Sequence, residues 1–318
     1  MNNLYIFKGE QFLKKCLFDG LAHSYDVMTG NYVKPYPEVT GYIITYFCNH
    51  GIIFDELINS ADFLVENQNS EGGWPSFYEK QNLFTFDTAQ ILIGLCSLYK
   101  SIGETKYLNA AVKGGDFLLK MQLGNGGFIP IYNYKKKQGV INKRTYSIWN
   151  GPFSGLMCKL TEAYNILFEI TNDIKYKNSC FLTADFYESA DYIECTHPMG
   201  YWLEGLLAAG KNEKVDEVLQ KYVISRIRSN GYIPYKEDLP YAYVSGVIQL
   251  GIILFKRGYK EEAKKIRDYG RSVQEKDNSG GLFQYADMYG DLDNHVHTEI
   301  NSWGTKYFCE LEQIIEEG

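Results

Sequence analysis

The stretch Glu66–Tyr78, ENQNSEGGWPSFY, sets two glycines and a tryptophan directly behind an amphipathic segment, ADFLVENQ. Glycine after such a segment is the expected left-handed end of a helix, where a residue without Cβ is least strained. The arrangement returns as MQLGNGGFIPIY (Met121–Tyr132), IRSNGYIPY (Ile227–Tyr235) and KDNSGGLFQY (Lys276–Tyr285). Each copy follows a helix-like segment: GDFLLKMQ, KYVISRIR and YGRSVQEK. A turn that recurs at comparable spacing marks a repeated supersecondary unit.

The other half of each unit is an apolar segment with few polar residues, most of them near its start. These are PEVTGYIITYFCNHG from Pro37, DTAQILIGLCSLYKSIG from Asp87 and NGPFSGLMCKLTEAYNILFEI from Asn150. The remaining three are HPMGYWLEGLLAAG from His197, YAYVSGVIQLGIILFKRG from Tyr241 and EINSWGTKYFCELEQI from Glu299. Such helices are buried nearly all round, whereas the intervening segments carry charge on one face and read as outer helices. The pattern predicts an all-α fold, an (α/α)6 toroid of six hairpins in a single domain over residues 1–318.

The return turns SIGET, AAGKNE and KRGYKEE are short and polar, while the loops leading into the inner helices are long and aromatic. Long loops on one face of a regular scaffold are where function concentrates. All four tryptophans, Trp74, Trp149, Trp202 and Trp303, fall on that face or within two turns of it. Trp74, Trp149 and Trp303 are expected to line one cleft. Six inner-helix N-termini converge on the same face, which favours an anionic group at its centre.

Bulk properties exclude several classes. The net charge of −7 repels a phosphate backbone, so nucleic acid is not an expected partner. The most apolar run, GVIQLGIILF, is too short to span a bilayer. MNNLYIFKGEQFLKKC has no apolar core with a small-residue cleavage site, so no signal peptide is expected. Seven cysteines without a CxxC pair fit reduced core thiols in a cytoplasmic protein.

Gln68, Gly72 and Trp74 fit the Q-x3-G-x-W turn of terpene cyclases, and Gln122, Gly126 and Phe128 fit it with phenylalanine in place of tryptophan. The chain therefore resembles the toroids shared by terpene cyclases, prenyltransferase β subunits and many carbohydrate enzymes. The segments PYPEVTGYII, FDTAQILIGL, HPMGYWLEGLLAAG and SWGTKYF, in that order, look like a group of bacterial toroid proteins associated with surface-polysaccharide gene clusters. The resemblance implies a saccharide context and carries no catalytic residues. Asn294 replaces the last aspartate of the cyclase D-x-D-D motif in DLDN, which argues against cyclisation.

Candidate chemistry gathers at the inner-helix starts. Glu38 after Pro37 reads either as a first-turn carboxylate complementing the helix dipole or as an acid or base on the cleft floor. Asp87 in FDTAQ reads as an N-cap or as a catalytic partner. His197 and Tyr201 share one helical face and could serve as proton donor and acceptor across a sugar ring. The unperturbed histidine titrates near 6.5, which suits exchange near neutral pH. His23, Tyr25, Asn150, Tyr243 and His297 are further candidates for substrate binding. DLDNHVH alternates Asp291, Asp293, His295 and His297, but no recognised ligand spacing is present and no metal or other cofactor is expected. The basic loop Tyr132–Ser147, with Lys135, Lys136, Lys137, Lys143 and Arg144, is a solvated charge run or a contact for an acidic glycan. Lys306 in the last inner helix needs an anionic partner: substrate, Glu299 or Glu38.

These readings converge on a carbohydrate-active enzyme acting on a bacterial surface-polysaccharide intermediate, with an acidic sugar expected. A uronate C5-epimerase or lyase working through His197 and Tyr201 is preferred. A glycoside hydrolase using Glu38 and Asp87 is the alternative, and a non-catalytic glycan-binding scaffold is the rival outside enzymology.

Overall fold

A computed structural model describes residues 3–33, 35–76, 80–140, 154–190, 193–292 and 298–318. Twelve α-helices are present among them. The inner set is α2 (Pro37–Asn49), α4 (Thr85–Ile102), α6 (Leu160–Thr171), α8 (Thr196–Ala208), α10 (Val244–Lys256) and α12 (Ser302–Glu317). The outer set is α1 (Leu4–Cys16), α3 (Asp55–Glu66), α5 (Thr105–Met121), α7 (Ile174–Glu188), α9 (Asn212–Val218) and α11 (Lys260–Gln274). Inner helices pack side by side in chain order, and α12 returns to α2 and to α1, closing an α/α toroid.

Burial follows the composition. Every residue of α10 from Val244 to Leu254 is buried. The outer helix α11 instead buries one stripe, Ala263, Ile266, Tyr269, Gly270, Val273 and Gln274. The outer segment 213–228, expected as one helix, ends α9 at Val218 and continues through a π turn (Leu219–Val223) and a 3-10 turn (Ile224–Arg226). The third inner segment likewise begins as a 3-10 turn, Gly155–Lys159, that runs into α6.

The glycine turns account for the regularity. Gly72 and Gly126 both sit at φ +97°, and a Cβ on them would lie 2.3 Å from the Lys113 carbonyl oxygen in α5 and 2.1 Å from that of Leu182 in α7. Gly231 and Gly280 stand in the same relation to Lys265 in α11 and Lys8 in α1. Each turn therefore lies against the outer helix of the next hairpin, closer than any side chain allows. Gln68 Nε2 ties the turn down by donating to the carbonyls of Gly72 and of Ala110 in α5, both at 2.8 Å. Gln122 does the equivalent on α7, donating to the Ser179 carbonyl at 3.1 Å and to Thr183 Oγ1 at 2.7 Å. Gln274 donates to the carbonyls of Tyr5 in α1 and of Gly280.

The loops on the inner-helix N-terminal face pair with one another, which helical periodicity did not foretell. A four-stranded antiparallel sheet joins Asn31–Tyr32, Tyr25–Asp26, Glu299–Asn301 and Leu282–Phe283 in that order. A three-stranded sheet joins Asn82–Phe84, Ile131–Asn133 and Gln138–Val140, so the first part of the expected basic loop is a hairpin with exposed Lys135, Lys136 and Lys137 at its turn. A short pair joins Ala242–Tyr243 to Tyr285–Ala286. Crowded loop backbones must satisfy their own N–H and C=O groups, and pairing does so.

Gly72→Ala is expected to lower unfolding free energy by roughly 2–4 kcal/mol, because it adds a steric clash to a strained φ. Gly124→Ala, at an exposed site with open space around its Cα, should change stability by no more than about 0.5 kcal/mol. Urea denaturation of both variants checks the contrast.

Candidate active site

Residues at or just before the N-terminal ends of the six inner helices line one cavity of about 480 Å³, a size suited to a small organic ligand. Glu38, Val39 and Tyr42 come from α2, Phe86 and Asp87 from α4, and Leu156 and Met157 from the turn before α6. His197 and Tyr201 come from α8, Tyr243 from the residue before α10, and Trp303 from α12. The paired loops complete the wall with Tyr36, Phe84, Pro130, Gln284 and Tyr285. The lining is largely aromatic and aliphatic apart from Glu38, Asp87, His197 and Gln284.

Glu38 is the second residue of α2 and Asp87 the third of α4, and both are half-buried against the cavity. The cap of α4 is Phe84, with no side-chain capping bond, so the N-cap reading of Asp87 is overturned. Burial pushes Asp87 up to about 7. Burial, and then the neighbouring Asp87 charge, push Glu38 well above the usual carboxylate range. The helix ends favour the anions, but desolvation prevails. Both carboxyls therefore keep their protons to higher pH than usual, and the two titrate as a unit.

His197 is only 2% exposed, with its ring between Tyr243, stacked at 4.7 Å, and Tyr201 at 4.5 Å. Burial lowers its pKa to about 3 despite a hydrogen bond to Gln249. The near-neutral titration expected of this histidine is thereby corrected: it is a neutral imidazole across ordinary pH. Tyr201, packed edge-on to Phe86 at 5.0 Å, is raised well above 10 by burial, so an ionised phenolate is not its working form.

Other sequence candidates lie elsewhere. Trp74 is 1% exposed and donates from Nε1 to the Leu64 carbonyl at 2.7 Å; it is core, not cleft wall. Trp202 is likewise core, donating to the Tyr187 carbonyl at 2.9 Å. Trp303 does line the cavity, edge-on to Tyr36 at 5.5 Å. His23 stacks on Phe18 at 3.8 Å and shares a hydrogen bond with the Val33 carbonyl, and Tyr25 sits in the four-stranded sheet beside Tyr32; neither lines the cavity. Lys306 faces a second cavity of about 670 Å³ at the opposite end of the ring and pairs with Glu310 at 2.6 Å, so it is not a substrate contact of the first. Arg144, Trp149, Asn150, Asp293, His295 and His297 lie outside the described residues. Among the described residues, no three His, Cys, Asp or Glu side chains are grouped to hold a metal ion. Asp291 pairs with Lys276 at 2.8 Å. No described helix is long and apolar enough to cross a membrane. The sequence reading missed Phe86, Met157 and Gln284; proximity to an inner-helix start could have pointed to the first two, whereas Gln284 reaches the start of α10 only through the fold.

The closed ring defines an α/α toroid, and solved structures share it over nearly the whole chain. One is a cellobiose 2-epimerase from Spirochaeta thermophila, with TM-score 0.75, 11% identity, and coverage of 98% of this chain and 97% of that one. Another is an unsaturated glucuronyl hydrolase specific for heparin, with TM-score 0.70, 11% identity and coverage of 98% and 96%. A type II terpene cyclase from Scytonema is similar at TM-score 0.59 and 11% identity, with coverage of 98% and 96%. At these identities the likeness is one of fold. The family model for pectic acid lyases matches residues 81–180. No curated protein matches the chain.

The raised carboxyls have a stability consequence with a definite sign. A folded-state pKa above the unfolded value contributes stability below about pH 4 that is lost as pH rises through about 7. Asp87→Asn should therefore stabilise the protein at pH 8 by about 1–3 kcal/mol, and Glu38→Gln should act in the same direction, with the gain vanishing towards pH 4. Thermal denaturation of wild type and variants across this range tests it; a destabilisation at pH 8 contradicts it.

Proposed function

We propose that the chain is a saccharide-processing enzyme whose acid–base pair is Glu38 and Asp87, with glycoside hydrolysis as its reaction. One observation carries the reading: two carboxyl groups line the floor of one aromatic cavity, near enough for the charge on Asp87 to raise Glu38. Glycoside cleavage needs one protonated and one ionised carboxyl across the scissile bond. In this reading Glu38 gives its proton to the leaving oxygen. Asp87 takes a proton from water as that water attacks the anomeric carbon, or attacks that carbon itself before water releases the sugar. Trp303, Phe86 and Tyr36 offer ring faces to the C–H surface of a pyranose.

The same lining bears on the sugar. Among the described residues it carries two carboxyls and no lysine or arginine, so an uncharged sugar ring fits it better than an acidic one. The exposed hairpin lysines 135–137 are not part of the wall. Proton abstraction beside a sugar carboxylate would need a cation to hold the developing charge, which weakens the uronate epimerase reading. Epimerisation of a neutral sugar remains the second reading. It is favoured by the similarity to a cellobiose 2-epimerase and needs the same two carboxyls as base and acid.

Incubation with a panel of neutral oligosaccharides should release reducing ends. Glu38→Gln and Asp87→Asn should each cut the rate by roughly 10²–10⁴-fold while the protein stays folded. The rate should climb with pH through about 7 as Asp87 ionises and fall again as Glu38 loses its proton. Solvent deuterium appearing at a sugar carbon without cleavage selects the epimerase. Full activity in both variants excludes the pair from either reaction.

A further inference from the structure

Three of the rare polar residues in the inner ring meet behind His197. Lys159 ends the 3-10 turn before α6, Glu204 lies in α8 and Gln249 in α10. Lys159 is 4% exposed, with Nζ 2.9 Å from Oε2 of Glu162 and 2.9 Å from Oε2 of Glu204. Gln249, fully buried, donates from Nε2 to that same Glu204 oxygen at 3.0 Å, and its Oε1 meets Nδ1 of His197. Two close approaches make the meeting possible. A Cβ at Gly200 would lie 3.0 Å from Gln249 Cβ, and one at Gly205 would lie 2.2 Å from the carbonyl carbon of Cys158, next to Lys159.

The polarity of this chain is forced from its buried end. A lysine ammonium has only protons to give, so Oε2 of Glu204 accepts from it and carries no proton itself. The oxygen then requires a donor from Gln249, which turns the amide nitrogen towards Glu204 and the amide oxygen towards the histidine. An amide oxygen only accepts. Nδ1 of His197 must therefore hold the proton, an orientation assigned from the network rather than from hydrogen positions.

We propose that Lys159, Glu204 and Gln249 are positioning residues that lock His197 in its Nδ1–H tautomer, making its Nε2 a hydrogen-bond acceptor, for a donor of the protein or for a sugar hydroxyl that replaces it in the cavity. Only the identity of the hydroxyl-bearing ligand rests on the saccharide reading above; the tautomer stands independently of it. The other tautomer would present an N–H at Nε2 and leave the Gln249 amide oxygen facing a bare ring nitrogen, acceptor against acceptor. A site built to accept from one hydroxyl discriminates against sugars lacking it far more sharply than an apolar wall does. Burial keeps the ring neutral, so the acceptor persists over the working pH range.

The test is spectroscopic and needs no substrate. The full chain is labelled with ¹⁵N-histidine, and the long-range ¹H–¹⁵N pattern of His197 is assigned by its loss in His197→Gln. Wild type should show the neutral Nδ1–H form from pH 5 to 8. Gln249→Leu should release the lock, giving the Nε2–H form or a mixture. Gln249→Glu still accepts from Nδ1 and should retain it. An Nε2–H or cationic His197 in wild type, or an unchanged pattern in Gln249→Leu, overturns the proposal. If Gln249→Leu does not fold, the wild-type and Gln249→Glu spectra decide. With a hydrolysed sugar in hand, Gln249→Leu should raise KM roughly tenfold with a smaller change in kcat. Failure to find any hydrolysis would remove the hydrolase reading and leave the tautomer assignment standing on its spectrum.

Discussion

The toroid depends on a backbone-to-backbone approach. At Gly72, Gly126, Gly231 and Gly280 the chain leaving one outer helix lies against a carbonyl of the next, where a Cβ would fall between 1.9 and 2.5 Å from that oxygen. That spacing fixes the pitch between successive hairpins. It also sets the level at which α4, α6, α10 and α12 begin, at the rim they share with α2 and α8. A shared rim is what turns six ordinary helix ends into a single walled cavity.

The rim then imposes its electrostatics. Carboxylates near helix N-termini are ordinarily stabilised, by several tenths of a kcal/mol in exposed settings. Here the surrounding aromatic wall removes water, and that loss outweighs the dipoles at Glu38 and Asp87. Holding two such groups together opposes folding at neutral and alkaline pH. Proteins tolerate strain of this kind mainly where chemistry uses it. The neutral His197 and the un-ionised Tyr201 belong to the same dry environment.

Much of the fold was legible because its determinants are local. A glycine just past an amphipathic stripe, with a glutamine four residues before it, announces the geometry of Gln68 and Gly72 wherever it occurs. The inner helices were equally plain from their lack of a polar face. Trp74 was misread because a tryptophan on a turn looks the same in sequence whether it faces a cavity or plugs the core; only the carbonyl of Leu64 distinguishes the two. Lys306 was assigned to the wrong end because helical phase gives the face of a residue but not its depth, and the side chain already reaches the opposite cavity. The loop-face strands pair segments as distant as Asp26 and Glu299, which no periodicity encodes. Lys159, Glu204 and Gln249 were visible as polar interruptions of apolar helices, and their mutual contacts were not.

The central claim is that Glu38 and Asp87 form a proton-sharing pair. It is tested most directly by ¹³C NMR of the full chain labelled at aspartate and glutamate side-chain carboxyls, titrated from pH 4 to 9, with Glu38→Gln and Asp87→Asn used for assignment. The account predicts two coupled carboxyls, both ionising well above the usual carboxylate range and one of them near 7, with each variant altering the remaining partner's midpoint. Two carboxyls already ionised by pH 5, neither responding to loss of the other, would contradict it.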